Sequence, residues 1–154
     1  MYSHEPPDYQ CPFCKIAQGG EDKFTNQDDV VYRSESVTAF VSPKWWPENP
    51  GHVVVIPNNH AENIYDITDD TISAVYKTVK QVALAMKSEY MCDGVSTRQH
   101  NEPSGDQDLW HFHVHVFPRY PKDHLYLNHE KAQFVDAESR AKFASMLRAY
   151  FDNN

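Results

Sequence analysis

His111-Phe112-His113-Val114-His115-Val116-Phe117 alternates imidazole with apolar side chains. Successive side chains of a β-strand point to opposite faces of the sheet. A strand over Leu109 to Phe117, ended by Pro118, sets His111, His113 and His115 on one face, about 6.6–7 Å apart in order. Phe112, Val114 and Val116 fall on the other face, where they suit a core beneath a helix. One strand thus offers a core with one face and a site with the other.

Two chemistries suit such a row. Neutral imidazoles ligate metals such as zinc, and a neutral ring nitrogen is a good nucleophile near pH 7. A row of solvated surface rings is the simplest reading, and the wholly apolar opposite face argues against it. Upstream, Asn101-Glu102-Pro103-Ser104-Gly105-Asp106-Gln107 is a turn by composition. Ser104 and Gly105 there offer a hydroxyl and backbone N–H groups that suit a phosphate. Gln107 adds a neutral amide able to hold a phosphate oxygen.

Working outward, His52 to Ile56 is a short β-branched run closed by Pro57, which reads as a strand buried on both faces. Val30 to Arg33 and Val37 to Val41 read as strands joined by a polar turn, and Gly94 to His100 as another. A Pro-rich loop runs from Pro43 to Pro50 and contains Trp45 and Trp46. Ile72, Val75, Tyr76, Val79, Val82, Ala83, Met86 and Tyr90 recur at helical spacing, predicting a helix from 69 to about 90 capped by Thr68 or Asp69. A short helix over Cys11 to Gln18 ends at Gly19-Gly20, and a last helix runs from about Asp136 to Phe151. The order predicts an α+β fold, with a mainly antiparallel sheet covered by the long helix and the C-terminal helix. Residues 1–10 read as a flexible arm and residues 11–154 as a single domain.

The whole chain sets limits. Its 154 residues suffice for a real core, and 40% hydrophobic with 23% charged residues is ordinary for a globular protein. A net charge of −8 makes polymeric nucleic acid or an anionic membrane a poor partner. It does not exclude a small phosphate ligand held by local donors. Met1 to Gln10 lack the pattern of a signal peptide, and no apolar run approaches a membrane span, so the chain reads as cytoplasmic. Three cysteines do not make a secreted disulfide framework, and Cys11-x-x-Cys14 points to metal or redox chemistry.

Taken together, these residues resemble the histidine-triad (HIT) family of nucleotide hydrolases and transferases. The His111–Phe117 row matches its signature, Cys11-Pro12-Phe13-Cys14-Lys15-Ile16 its amino-terminal segment, and Pro50 to His60 its central strand and turn. The resemblance covers roughly residues 11–119. It implies a HIT-like α+β fold, usually a homodimer with one continuous sheet, and small-molecule adenine nucleotide derivatives as substrates. Nucleoside phosphoramidates and diadenosine polyphosphates are the classes implied. His113 would attack the α-phosphorus and carry a nucleotidyl-histidine intermediate, with no cofactor needed for the chemistry. The carbonyl of His111 would accept from His113 Nδ1, His115 would stabilise phosphate charge, and His52 would support the cluster. Asn101 and Gln107 fall where the family carries its phosphate-side amides. Lys44, Asp106 and Asp108 depart from the family pattern around the ribose and the leaving group.

Cys11 and Cys14 admit two readings, a pair of small buried residues or half of a tetrahedral zinc site. His60 and His111 are the candidates to complete such a site. The resemblance supports this set, as a structural zinc that pins the amino-terminal segment to the catalytic strand. Trp45 and Trp46 read slightly better as interface anchors than as a base-stacking surface. His100, His124 and His129 read as ordinary surface or turn histidines, and Arg119 as a surface ion pair. Two other functions stay open: a hydrolase whose three histidines hold a catalytic zinc, and a nucleotide-binding module without turnover.

Overall fold

The computed structural model describes residues 2–154. Its elements follow in the order α1 (Pro12–Ala17), β1 (Val30–Arg33), β2 (Val37–Val41), β3 (Lys44–Trp45), β4 (Val53–Pro57), α2 (Asp69–Glu89), β5 (Gly94–Gln99), β6 (Val114–Arg119), β7 (Gln133–Phe134) and α3 (Ala137–Asn153). Five strands form one sheet in the order β1-β2-β4-β6-β5, and every neighbouring pair is antiparallel. The α+β architecture expected from the element order is therefore the one observed. Among the described residues, no helix is long and apolar enough to cross a membrane.

β2 and β4 are buried along their whole length because both faces of the sheet are covered. On one face Ala39, Val41, Val53, Val55, Val114 and Val116 pack with Val75, Val79, Val82 and Met86 of α2 and with Ala144 and Leu147 of α3. Each such side chain contributes about 1.5–3 kcal/mol when fully removed from water. On the other face Phe13, Ile16 and Ala17 of α1 cover Phe40, Val54 and Ile56. Thr68 caps α2 by accepting from Thr71 N, and Asp136 caps α3 by accepting from Ser139 N. A buried ion pair, Arg140 Nε to Asp29 Oδ1 at 2.9 Å, ties α3 to the turn before β1.

Two expectations need correction. The strand expected over 109–117 is β6, which starts at Val114 and runs through Pro118. His111 and Phe112 leave the ladder because their partners lie at the end of β4 and in the turn after it. Phe112 N donates to Ala61 O, and the His111 ring meets Pro57 O. Pro118 is tolerated because the β4 ladder has stopped at Val53–Val116, where Asn49 Nδ2 donates to the Pro118 carbonyl instead. The Pro-rich loop hides β3, which pairs with β7 outside the main sheet. The expected loose arm has no regular element in its described part, yet it is tethered: Ser3 Oγ and His4 N both donate to the Glu62 carboxylate.

Candidate active site

His113 enters the site from the residue just before β6 and is buried. Its Nδ1 lies 2.7 Å from the carbonyl oxygen of His111. A carbonyl only accepts, so the ring proton sits on Nδ1 and Nε2 carries a free lone pair. Burial holds His113 below the ordinary histidine range, so the ring is neutral near pH 7. Phe13 of α1 lies edge-on to the ring at 5.2 Å and fixes its plane. The result is a positioned, unprotonated imidazole nitrogen, which is what nucleophilic attack requires.

His115 follows on β6, with its ring centroid 4.9 Å from that of His113. Its Nδ1 lies 3.3 Å from Nε2 of His52, the residue just before β4. His52 Nδ1 is buried without a partner. A buried N–H without an acceptor is rarer than a buried lone pair without a donor. The proton therefore belongs on His52 Nε2, which donates to His115 Nδ1 and leaves His115 an Nε2–H to donate elsewhere. Burial, with Arg98 nearby, pushes His52 down to about 3. Burial first, and then the neighbouring histidines, hold His115 well below its usual value.

These three histidines open onto a cavity of about 560 Å³ whose apolar wall includes Phe13, Phe40, Val54 and Leu109. Trp46 and His129 line the same cavity. Trp46 is thus a wall of the site, edge-on to His52 at 5.5 Å, rather than the interface anchor expected. Lys44 lines the cavity too, and Asp108 reaches to 3.7 Å from His113 Nε2. A second cavity of about 310 Å³ shares His115, Trp46, His129 and Asp108 with the first, and adds Arg98 and His100. His100 and His129 were missed as site residues. The signal for His100 was its place on the predicted strand beside the histidine row; nothing local marks His129.

The His111 ring turns the other way. Among the described residues, Cys11, Cys14, His60 and His111 form the one group whose donor atoms could share a metal ion, all lying within 4.8 Å of one another. Cys11 Sγ is 3.2 Å and Cys14 Sγ 3.5 Å from His111 Nδ1, and Cys14 Sγ is 3.3 Å from His60 Nδ1. Tetrahedral zinc bonds of about 2.0–2.3 Å imply donor–donor edges of about 3.3–3.8 Å, and these three edges lie close to that range. The far sides of both rings fit as well. His111 Nε2 donates to Pro57 O at 3.0 Å and His60 Nε2 to Glu5 Oε2 at 3.0 Å, so each ring turns its Nδ1 toward the sulfurs. Burial and the Cys11 neighbour push the Cys14 thiol up to about 12 in the absence of a cation. Among the described residues that group includes neither His113 nor His115, so a three-histidine catalytic metal has no geometric support.

A family description of the HIT domain matches residues 23–122. The chain belongs to the HIT family. It is 34% identical over 112 residues to the protein named hit of Bacillus subtilis, covering 73% of this chain and 72% of that one. It is 30% identical over 99 residues to a bis(5'-adenosyl)-triphosphatase of Saccharomyces cerevisiae, covering 64% of this chain and 47% of the yeast protein. Among solved HIT structures, a hypothetical histidine triad nucleotide-binding protein from Sulfolobus tokodaii superposes with a TM-score of 0.77 at 26% identity, covering 93% of each chain. A zinc-bound histidine triad family protein from Mycobacterium smegmatis shares the fold, with a TM-score of 0.75 at 23% identity over 94% of each chain.

The expected phosphate-side residues do not all reach the cavities. Asn101 turns away from both cavities: its Oδ1 accepts from Ile64 N and its Nδ2 donates to Gln99. Ser104 and Gly105 sit in an exposed turn and line neither cavity. Gln107 lines the smaller cavity, but its amide is engaged. Nε2 donates to Glu62 O and Leu109 O, and Oε1 accepts from Glu102 N. These bonds brace the loop. His100, not Asn101, presents its ring on the His115 side, as strand alternation requires.

Proposed function

We propose that this chain is a nucleotide hydrolase or nucleotidyltransferase that works through a covalent nucleotidyl-histidine at His113. The observation that carries the reading is the His113 Nδ1–His111 O contact of 2.7 Å, which leaves Nε2 free beside the cavity. Nε2 attacks the α-phosphorus of an adenine nucleotide derivative, such as a nucleoside phosphoramidate or a diadenosine polyphosphate. The bond to the leaving group breaks as the P–N bond forms. The His111 carbonyl stabilises the positive charge that develops on the ring, and His115 Nε2–H stabilises the phosphate oxygens. Water then attacks the phosphorus, the P–N electron pair returns to Nε2, and the water proton leaves to solvent. Another acceptor in place of water makes the chain a transferase.

The names of the yeast triphosphatase and of the Sulfolobus nucleotide-binding protein favour the same substrate class. The nucleoside would occupy the larger cavity, where Trp46 and Phe13 offer aromatic walls. Zinc, held by Cys11, Cys14, His60 and His111, would cross-link the amino-terminal segment to the nucleophile's loop and take no part in the reaction. The zinc-bound Mycobacterium protein supports the choice of metal. Among the described residues the outer edge of β5 pairs with no other strand, while β1 is held by Arg148 of α3. A second copy would continue the sheet there, giving the homodimer. Mixing enzyme with an adenine dinucleotide and following AMP release tests the reading. Nucleotide binding without product identifies a non-catalytic binding module instead.

A further inference from the structure

The smaller cavity contains a cation without a partner. Arg98 on β5 stands directly across from His115 on β6, so the two side chains share a face. Its guanidinium carbon lies 5.9 Å from the Trp46 ring, 5.8 Å from Phe117 and 5.9 Å from Tyr126. Among the described residues, no carboxylate lies within ion-pair distance of it. The contrast is Arg119 at the end of β6, whose guanidinium is consumed by both oxygens of Asp123 and by Ser96 Oγ. Arg98 thus keeps its N–H donors unspent in a cavity wall, braced by aromatic faces that hold a cation without neutralising it.

Two further groups point the same way. His100 Nδ1 donates to Gly105 O at 2.7 Å, which leaves its Nε2 as the free end of the ring in the cavity wall. His129 sits 5.6 Å from Trp46, where the two cavities meet. Two acids, Asp106 and Asp108, also line this cavity, but both are exposed and screened by solvent.

We infer that Arg98, with His100 and His129, selects a leaving group that itself carries phosphate. The inference rests on the nucleotidyl-histidine reading above and gives that site its substrate preference. With a nucleoside in the larger cavity, the α-phosphate meets His113 and His115 where the cavities join. An in-line displacement then sends the leaving group toward Arg98. When the α-phosphorus is joined through a phosphoanhydride, the P–O bond breaks, its electron pair stays on the bridging oxygen, and the departing phosphate gains one negative charge. Arg98 stabilises that charge through hydrogen bonds that strengthen as it develops. An amine leaving group, as in a phosphoramidate, takes up a proton from solvent as the P–N bond breaks, departs without negative charge and gains nothing from the guanidinium.

The test compares two adenylyl donors, one with a polyphosphate leaving group and one with an amine. In Arg98→Gln the ratio of their kcat/KM values should fall about tenfold or more against the polyphosphate donor, and Arg98→Lys should recover part of it. A ratio that changes less than about twofold overturns the inference. Calorimetry with inorganic tripolyphosphate separates this from the failure of the nucleotidyl-histidine reading. If neither donor turns over, that reading fails, while tripolyphosphate binding that weakens in Arg98→Gln still supports the anion subsite. No binding to the unaltered protein, or equal affinity in a folded Arg98→Gln, overturns it.

Discussion

His113 Nδ1 donates to the carbonyl oxygen of His111 across 2.7 Å, while the His111 ring faces Cys11 Sγ at 3.2 Å. One residue therefore holds the proposed nucleophile with its backbone and belongs to the cysteine–histidine cluster with its side chain.

That coupling predicts the effect of losing the cluster. The variant Cys11→Ser/Cys14→Ser should purify without zinc, whereas the unaltered chain should carry about one zinc per protomer by elemental analysis. Displacing the His111 backbone misaims Nε2, so kcat should fall by about 10- to 100-fold, with a smaller change in KM. A melting temperature and kcat both equal to those of the unaltered chain would show that the cluster bears no metal and does no positioning.

Acid should destabilise the protein through His52. Its folded-state pKa is lowered to about 3 by burial, while the unfolded chain titrates near the usual histidine value of about 6.5. The unfolded state therefore binds the extra proton as pH falls through that window. The His52 contribution is fully present above about pH 6.5 and declines toward pH 3, with a slope of up to about 1.4 kcal/mol per pH unit. Denaturant midpoints measured from pH 7 to 4 should fall less steeply in His52→Gln. Equal slopes in the two proteins would remove this account of the buried pair.

Asp123 offers a separate stability test. It accepts from Arg119, Asn49, Tyr120 N and Leu125 N, and the Arg119 guanidinium above all holds its carboxyl well below the usual range. Its contribution is present above the unfolded carboxyl value of about 3.9 and is lost as pH falls toward the lower folded value. Asp123→Asn should cost about 1.5–3 kcal/mol at neutral pH, read from urea denaturation. A cost within experimental error of zero would mean that solvent replaces these bonds.

The fold was legible where side-chain period and length agreed. β1 and β2 matched their expected bounds, and α2 matched to within a residue, because each carries a full apolar face and clear end signals. β3 and β7 were not legible, since two residues carry no period and their pairing joins positions about ninety apart. The histidine row was legible as a site, but its strand begins only at Val114, because His111 and Phe112 bond to the last residue of β4 and to the turn after it. The cysteine–histidine set was legible from its donors, and the structure brings all four together. The orientation of the expected phosphate-side Asn101 was not legible: at the end of β5 the ring of His100 lies on the His115 side and the amide of Asn101 faces Ile64. Only register decides that choice.

Intact-mass and peptide analysis of acid-avoiding quenches, taken within the first turnovers on an adenine dinucleotide, tests the central claim most directly. A mass increase of one adenylyl group on the peptide containing His113, absent in folded and inactive His113→Ala, is the predicted result. Full turnover in His113→Ala, or product formed with no adduct at any quench time, would contradict it.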